Sequence, residues 1–258
     1  MSDPGRLDEG RVTLRVDGQK LTGTLIEPEA PVPGFLFVHG WGGDQAEDFG
    51  QAEELARLGC VCFTFDLRGH AGSDADRSEV TRQNSLDDVI AAYDHLAAHP
   101  LIDRAAIGVI GTSYGGYLSA LLSARRPIRW MALRVPALYP DAHWDTPKAL
   151  LDKEVVRAYR QQPQDERGDR ALAACAGFRG DVLIVESEKD EQIPREAMLS
   201  YQSAFRNANS LSHRILHGAT HAMRDPRHQR TYTTLLLHWI DEMVRASRRT
   251  DRGLPNVS

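Results

Sequence analysis

The chain has 258 residues, of which 41% are hydrophobic and 26% charged, and its net charge is −5. That size and balance suit one large α/β domain over residues 1–258, and they argue against nucleic acid or an anionic membrane surface as a partner. No apolar run approaches the ~20 residues of a membrane helix, and Met1–Arg6 lacks the apolar centre of a signal peptide.

The chain opens with β-like alternation. Val12–Val16 and Leu21–Ile26 alternate around an Asp17-Gly18 hairpin signal. Phe35–Val38 is continuously apolar, as for a strand covered on both faces. Phe49, Ala52, Leu55, Ala56 and Leu58 follow helical spacing, and Gly59 ends that helix. Val61–Phe65 is a strand, followed by a polar loop from Asp66 to about Asn84. Cys60, Cys62 and Cys175 read as buried packing residues in a reducing compartment, so a cytoplasmic enzyme is expected.

Ser85 and Asp88 have capping-box spacing and predict a helix from there to near Pro100. Ala105–Ile110 predicts a buried strand running into Gly111-Thr112-Ser113-Tyr114-Gly115-Gly116, with a helix from Tyr117. Trp130–Leu133 is the next strand. The pattern lapses over residues 136–178, which predict a small insertion above the sheet's C-terminal edge. Val182–Val185 is a strand, and Pro194 opens a helix in its first turn. His213–Leu216 is the last strand and Tyr232–Met243 the last helix, with a basic frayed tail after Arg245. Alternating strands and helices imply a mostly parallel sheet with helices on both faces.

Gly-x-Ser-x-Gly between a strand and a helix is a nucleophile-elbow pattern. It would present the Ser113 hydroxyl at the top of the sheet and leave the Tyr114 N–H free. Serine needs a base to take its proton, and histidine oriented by a carboxylate is the usual one. Among ten histidines, His221 fits best, in a loop between the last strand and last helix; His228 is its rival. The acid belongs on the Glu186–Ile193 loop. Asp190 is favoured over Glu186, Glu188 and Glu191, although an acidic surface loop remains an open reading for each. The order Ser113, Asp190, His221 suits an α/β hydrolase. A tetrahedral oxyanion needs N–H donors, expected from Tyr114 and from Trp41 in His39-Gly40-Trp41-Gly42-Gly43, with His39 structural. Trp41, Tyr139 and Trp144 are expected to line a substrate pocket.

These motifs resemble the α/β-hydrolase superfamily from Val12 to Met243. Asp66-Leu67-Arg68-Gly69-His70-Ala71-Gly72-Ser73 is similar to a structural loop of that superfamily, with Asp66 and Arg68 fixing it. The elbow Ser113-Tyr114-Gly115-Gly116-Tyr117 is similar to prolyl-oligopeptidase-like and dienelactone-hydrolase-like members. Ser187 stands where a glycine is common. The resemblance implies an eight-stranded, mostly parallel sheet and a short helical cap at 136–178. It also implies a serine esterase for small or short-acyl esters, with no cofactor or metal; no phosphate-cradling Gly-x-Gly-x-x-Gly is present. A peptidase is the second expectation, with no extra N-terminal domain or acidic pair to favour it. Thioesterase or lactonase activity and a non-catalytic scaffold are further readings. Oligomeric state is not readable.

Overall fold

A computed structural model describes residues 8–27 and 32–251. The leader reading on Met1–Arg6 and the end of the basic tail lie outside them. Among the described residues there are seven α-helices and eight strands: β1 (Asp8–Val16), β2 (Gln19–Glu27), β3 (Val32–Val38), α1 (Phe49–Arg57), β4 (Val61–Phe65), α2 (Arg82–Ala97), β5 (Ile102–Thr112) and α3 (Tyr114–Leu122). They continue with β6 (Trp130–Arg134), α4 (Lys153–Arg160), α5 (Arg170–Gly177), β7 (Asp181–Lys189), α6 (Arg195–Ala204), β8 (Ser210–Thr220) and α7 (Pro226–Asp251). The strands form one sheet in the order β1-β2-β4-β3-β5-β6-β7-β8. The hairpin β1–β2 and its edge on β4 are antiparallel, and β4 through β8 are parallel.

Alternation along each strand explains the helices on both faces. Leu36, Val38, Val109, Leu133 and Ile184 point to one side, where α2, α3, α5 and α6 pack. Phe35, Phe37, Ile110, Ala132 and Val185 point to the other, against Ala52 and Leu55 of α1 and Leu236 and Trp239 of α7. Side chains alternate across a strand, so a buried parallel strand must be apolar at every position. Leu36, Leu133 and Ile184 are fully buried, each worth roughly 1.5–3 kcal/mol against exposure.

Three sequence expectations need correcting. The box at Ser85 and Asp88 is not the cap of α2: Thr81 caps it, exchanging hydrogen bonds with Asn84. Ser85 and Asp88 lie buried inside the helix instead, because Asp88 serves a tertiary partner described below. Pro194 sits one position outside α6, as its N-cap. After Arg245 the chain stays helical to Asp251.

Residues 136–178 leave the sheet between β6 and β7 and carry α4 and α5. Arg82, fully buried, holds this stretch by donating to the carbonyls of Pro140 at 2.7 Å and Ala142 at 3.0 Å. Tyr201 Oη donates to the Ala137 carbonyl at 2.7 Å, and Lys148 N–H to the Val80 carbonyl at 2.8 Å. Among the described residues no helix is long and apolar enough to cross a membrane.

Candidate active site

The parallel strands β3, β5, β7 and β8 end at one edge of the sheet, so the segments that follow them meet there. Crevices at that edge are where ligands bind in open α/β sheets. Gly40–Gly43 follow β3, Ser113 follows β5, Asp190 follows β7 and His221 follows β8.

The elbow is tight for a steric reason. Ser113 has φ 53° and ψ −111°, a left-handed conformation that costs a non-glycine residue of order 1–3 kcal/mol and needs its surroundings to hold it. A Cβ on Gly115 would press into the Val38 carbonyl, and one on Gly111 would lie 2.6 Å from the Gly115 carbonyl oxygen. Only glycine at both positions lets β5, the turn and α3 stack this closely. The strained residue is gripped by main-chain bonds: Ser113 N–H donates to the Arg134 carbonyl at 2.9 Å, and its own carbonyl accepts from Ala137 N–H at 2.9 Å. Between those partners Val135 is itself left-handed at φ 42°.

The three residues expected to act together are in contact. Ser113 Oγ lies 3.1 Å from His221 Nε2, and His221 Nδ1 lies 2.8 Å from Asp190 Oδ2. The other Asp190 oxygen accepts N–H bonds from Gln192 and Ile193, each at 2.8 Å. A carboxylate held that way favours the Nδ1–H tautomer, leaving Nε2 as the acceptor that faces Ser113. The neighbouring acids are otherwise engaged. Glu186 pairs with His213 at 3.0 Å, Glu188 accepts from Gly218 N–H at 2.7 Å, and Glu191 Oε2 lies 3.4 Å from His221 N–H. His228 sits in the first turn of α7 beside Gly218.

The loop after β3 is braced by two histidines. His39 is buried and its Nε2 accepts the Leu67 N–H at 3.1 Å; burial holds it below its ordinary value and neutral. His70 Nε2 accepts the Gly42 N–H at 3.0 Å, and its ring is edge-on to Trp41 at 4.9 Å. Burial, then the nearby His39, lowers His70 to about 4. A neutral His70 can accept that bond where a charged one cannot. The expected donor residues stand beside it: Trp41 is the residue before Gly42, and Tyr114 is the first residue of α3, where amides have no intrahelical partner. Trp41's ring packs edge-on against Tyr114 at 5.4 Å.

Asp66 and Arg68 fix the next loop. Asp66 accepts from Gln45 N–H and from its side-chain amide, each at 2.9 Å. Arg68 binds Asp88 of α2 through Nε at 2.7 Å and its main-chain N–H at 2.9 Å.

An open cleft of about 1750 Å³ runs past Ser113 and His221 and is lined also by Trp41, Arg134, Tyr139 and Lys148. Trp144 is not among its walls. It donates to Gln83 Oε1 at 3.1 Å and stacks under Arg170 and Arg82, so it packs residues 136–178 onto α2. Sequence reading missed Arg134, Lys148 and Arg160. Nothing in their spacing marks them, since they reach the cleft from β6, a 3₁₀ turn and α4.

Residues 48–247 match the prolyl oligopeptidase family. The chain belongs to that family. It is 32% identical over 212 residues to the alpha/beta hydrolase domain-containing protein WAV2 of Arabidopsis thaliana, covering 74% of this chain and 65% of that protein. The chain spans less than two thirds of the length of the curated relatives it matches. Among solved structures, acylaminoacyl peptidase of Pyrococcus horikoshii superposes with TM-score 0.70 at 18% identity over 92% of this chain and 42% of that one. Est1E of Butyrivibrio proteoclasticus with bound ferulic acid superposes with TM-score 0.66 at 20% identity, over 90% and 96%. These likenesses establish an α/β-hydrolase fold, in keeping with the eight-stranded, mostly parallel sheet.

Proposed function

We propose that this chain is a hydrolase, a serine carboxylesterase that forms an acyl-enzyme on Ser113. The observation that carries the reading is the continuous contact from Ser113 Oγ through His221 to Asp190 at 3.1 and 2.8 Å. His221 Nε2 takes the hydroxyl proton as Ser113 attacks the ester carbonyl, while Asp190 stabilises the imidazolium. The amides of Trp41 and Tyr114 receive the charge on the carbonyl oxygen. His221 then protonates the departing alcohol, and water attacks the acyl-enzyme with His221 as base. Residues 136–178 act as a cap, with Tyr139 and Trp41 as pocket walls.

A peptidase is the second reading, favoured by family membership and by the fold likeness to acylaminoacyl peptidase. Arg77, Lys148 and Arg160, gathered around Trp41 and Tyr139, disfavour the ammonium of a free amino-terminal peptide at that part of the cleft, while Glu47, Asp48 and Glu191 line other parts of it. The same charges disfavour long alkyl chains, which would strip them of water, so short acyl groups are preferred. Buried thiols at Cys62 and Cys175 support a reducing, cytoplasmic setting.

The test compares 4-nitrophenyl butyrate, 4-nitrophenyl decanoate and an aminoacyl 4-nitroanilide on the protein and on Ser113→Ala. Turnover of the butyrate that disappears in Ser113→Ala supports the esterase. Anilide cleavage exceeding ester cleavage establishes the peptidase, and ester turnover that survives the substitution removes Ser113 from the mechanism.

A further inference from the structure

Two cations flank one tyrosine beside the reacting edge. Lys148 Nζ lies 5.3 Å from the centre of the Tyr139 ring, and the Arg160 guanidinium lies 4.7 Å from the same centre. Lys148 Nζ also stands 4.1 Å over Trp41 and 5.0 Å from the Tyr114 ring. Both lysine and arginine line the cleft that contains Ser113 and His221. The Arg77 guanidinium lies 6.0 Å from the Trp41 ring.

These charges have aromatic and main-chain neighbours but no acid. Arg160 donates from Nε to the Leu138 carbonyl at 2.9 Å and from Nη1 to the Gln192 carbonyl at 3.4 Å. Among the described residues, no carboxylate lies within ion-pair distance of Lys148 or Arg160. Partly buried cations are ordinarily paired, because desolvation of a lone charge is costly.

Mutual repulsion leaves a mark on the titrations. Lys148 is held below its ordinary value by burial first, and Arg160 and Arg77 push it further down against the pull of Tyr139. Burial raises the Tyr139 hydroxyl, yet Lys148 and Arg160 outweigh it and the net direction is down. Both shifts describe a locus short of negative charge.

We propose that Lys148, Arg160 and the Tyr139 hydroxyl form a subsite for a carboxylate on the substrate. The substrates are then half-esters of dicarboxylic acids or esters of phenolic or hydroxy acids. Lys148 and Arg160 both interact with the Tyr139 oxygen, and the N–H groups this leaves over on Lys148 Nζ and Arg160, with the Tyr139 O–H, are the donors offered to a ligand. Three donors suit the two oxygens of one carboxylate. Lys148, Trp41 and Ser113 line the same cleft, so one substrate spans both sites. The inference rests on the esterase reading above.

The test uses two matched pairs. The 4-nitrophenyl half-ester of glutaric acid is compared with 4-nitrophenyl 5-methylhexanoate, which replaces the carboxylate by an isopropyl group. In the second pair, 4-acetoxybenzoate is compared with 4-acetoxybenzamide. Self-hydrolysis is subtracted with Ser113→Ala. In at least one pair kcat/KM for the carboxylate member is expected to be about tenfold or more higher, the scale of one charge-assisted hydrogen bond. The pair that responds tells whether the charge belongs to the acid or the alcohol. Lys148→Met and Arg160→Gln should each collapse the ratio toward one, and Lys148→Arg should retain most of it. Equal or lower rates on both carboxylate members overturn the subsite while leaving the esterase intact. A ratio unchanged in Lys148→Met and Arg160→Gln also overturns it.

Failure of all four esters would count against the esterase reading instead. In that case the subsite is tested by calorimetry on Ser113→Ala, where glutarate should bind about tenfold tighter than glutaramide and lose that margin in the Lys148→Met background. Equal affinities, or a margin that survives Lys148→Met, would discard it.

Discussion

Arg134 holds both ends of the Ser113–His221 contact. Its main-chain carbonyl accepts the Ser113 N–H at 2.9 Å, and its guanidinium Nη1 donates to the His221 carbonyl at 3.0 Å. The side chain is buried, 7% exposed, so this bond works with little competition from water. Replacing Arg134 by Met keeps the main-chain bond and removes the other. We expect kcat to fall about tenfold to a hundredfold, the scale of a hydrogen bond from a charged group, with a smaller change in KM. Fluorophosphonate labelling of Ser113 should slow in parallel, and a lysine at 134 should recover part of the loss. Unchanged kcat in Arg134→Met would mean that His221 is positioned by Asp190 alone.

His70 makes stability depend on acid. Its value falls from 6.5 to about 4 in the fold, so the unfolded chain binds a proton below 6.5 that the native chain refuses. Stability from His70 is therefore fully present above pH 6.5 and is lost as pH falls through about 4. The limit is roughly 3 kcal/mol at 1.36 kcal/mol per unit. His39 acts in the same direction, so the comparison must be between the protein and His70→Asn. Urea midpoints measured from pH 7 to pH 4 should fall more steeply for the parent than for the variant. Parallel curves would deny His70 this role.

The Arg68–Asp88 pair is a structural tie. Asp88 is fully buried, and burial raises its carboxyl to about 6 in spite of the Arg68 charge. Asp88→Ala leaves the buried Arg68 with only the exposed Asp17 at 3.4 Å and should cost toward the lower end of about 3–5 kcal/mol. The double variant Arg68→Met/Asp88→Leu should cost less than the two single variants together, as read by denaturant unfolding.

Gly115 tests the elbow's steric logic. Alanine there would drive its Cβ into the Val38 carbonyl and to 2.6 Å from that of His39, and main-chain atoms of a central strand cannot step aside. A loss of about 3 kcal/mol is expected, with fluorophosphonate labelling abolished. Gly116→Ala meets Pro136 at 3.0 Å and should be milder. A thermal melting comparison of the two variants decides the point.

Much of this molecule was legible without coordinates. The apolar runs Phe35–Val38 and Val182–Val185 specified strands covered on both sides, because every position must then be apolar. Gly111-Thr112-Ser113-Tyr114-Gly115 specified a turn that only glycine flanks permit. Strand order along the chain put Ser113, Asp190 and His221 after parallel strands, and hence at one edge. Each inference used residues a few positions apart, where backbone geometry is local.

Tertiary structure decided the rest. Asp88 had the spacing of a cap residue, yet its partner is Arg68, 20 residues away. Gly42 turned its amide to His70 across 28 residues, and Arg134 reached His221 across 87. Trp144 carried the composition of a pocket wall but faces Gln83. Lys148 and Arg160 converge on Tyr139 only because residues 136–178 are pinned down by Arg82 and Tyr201. Side-chain partners at such separations depend on how the sheet folds the chain back on itself, and local periodicity carries no record of that.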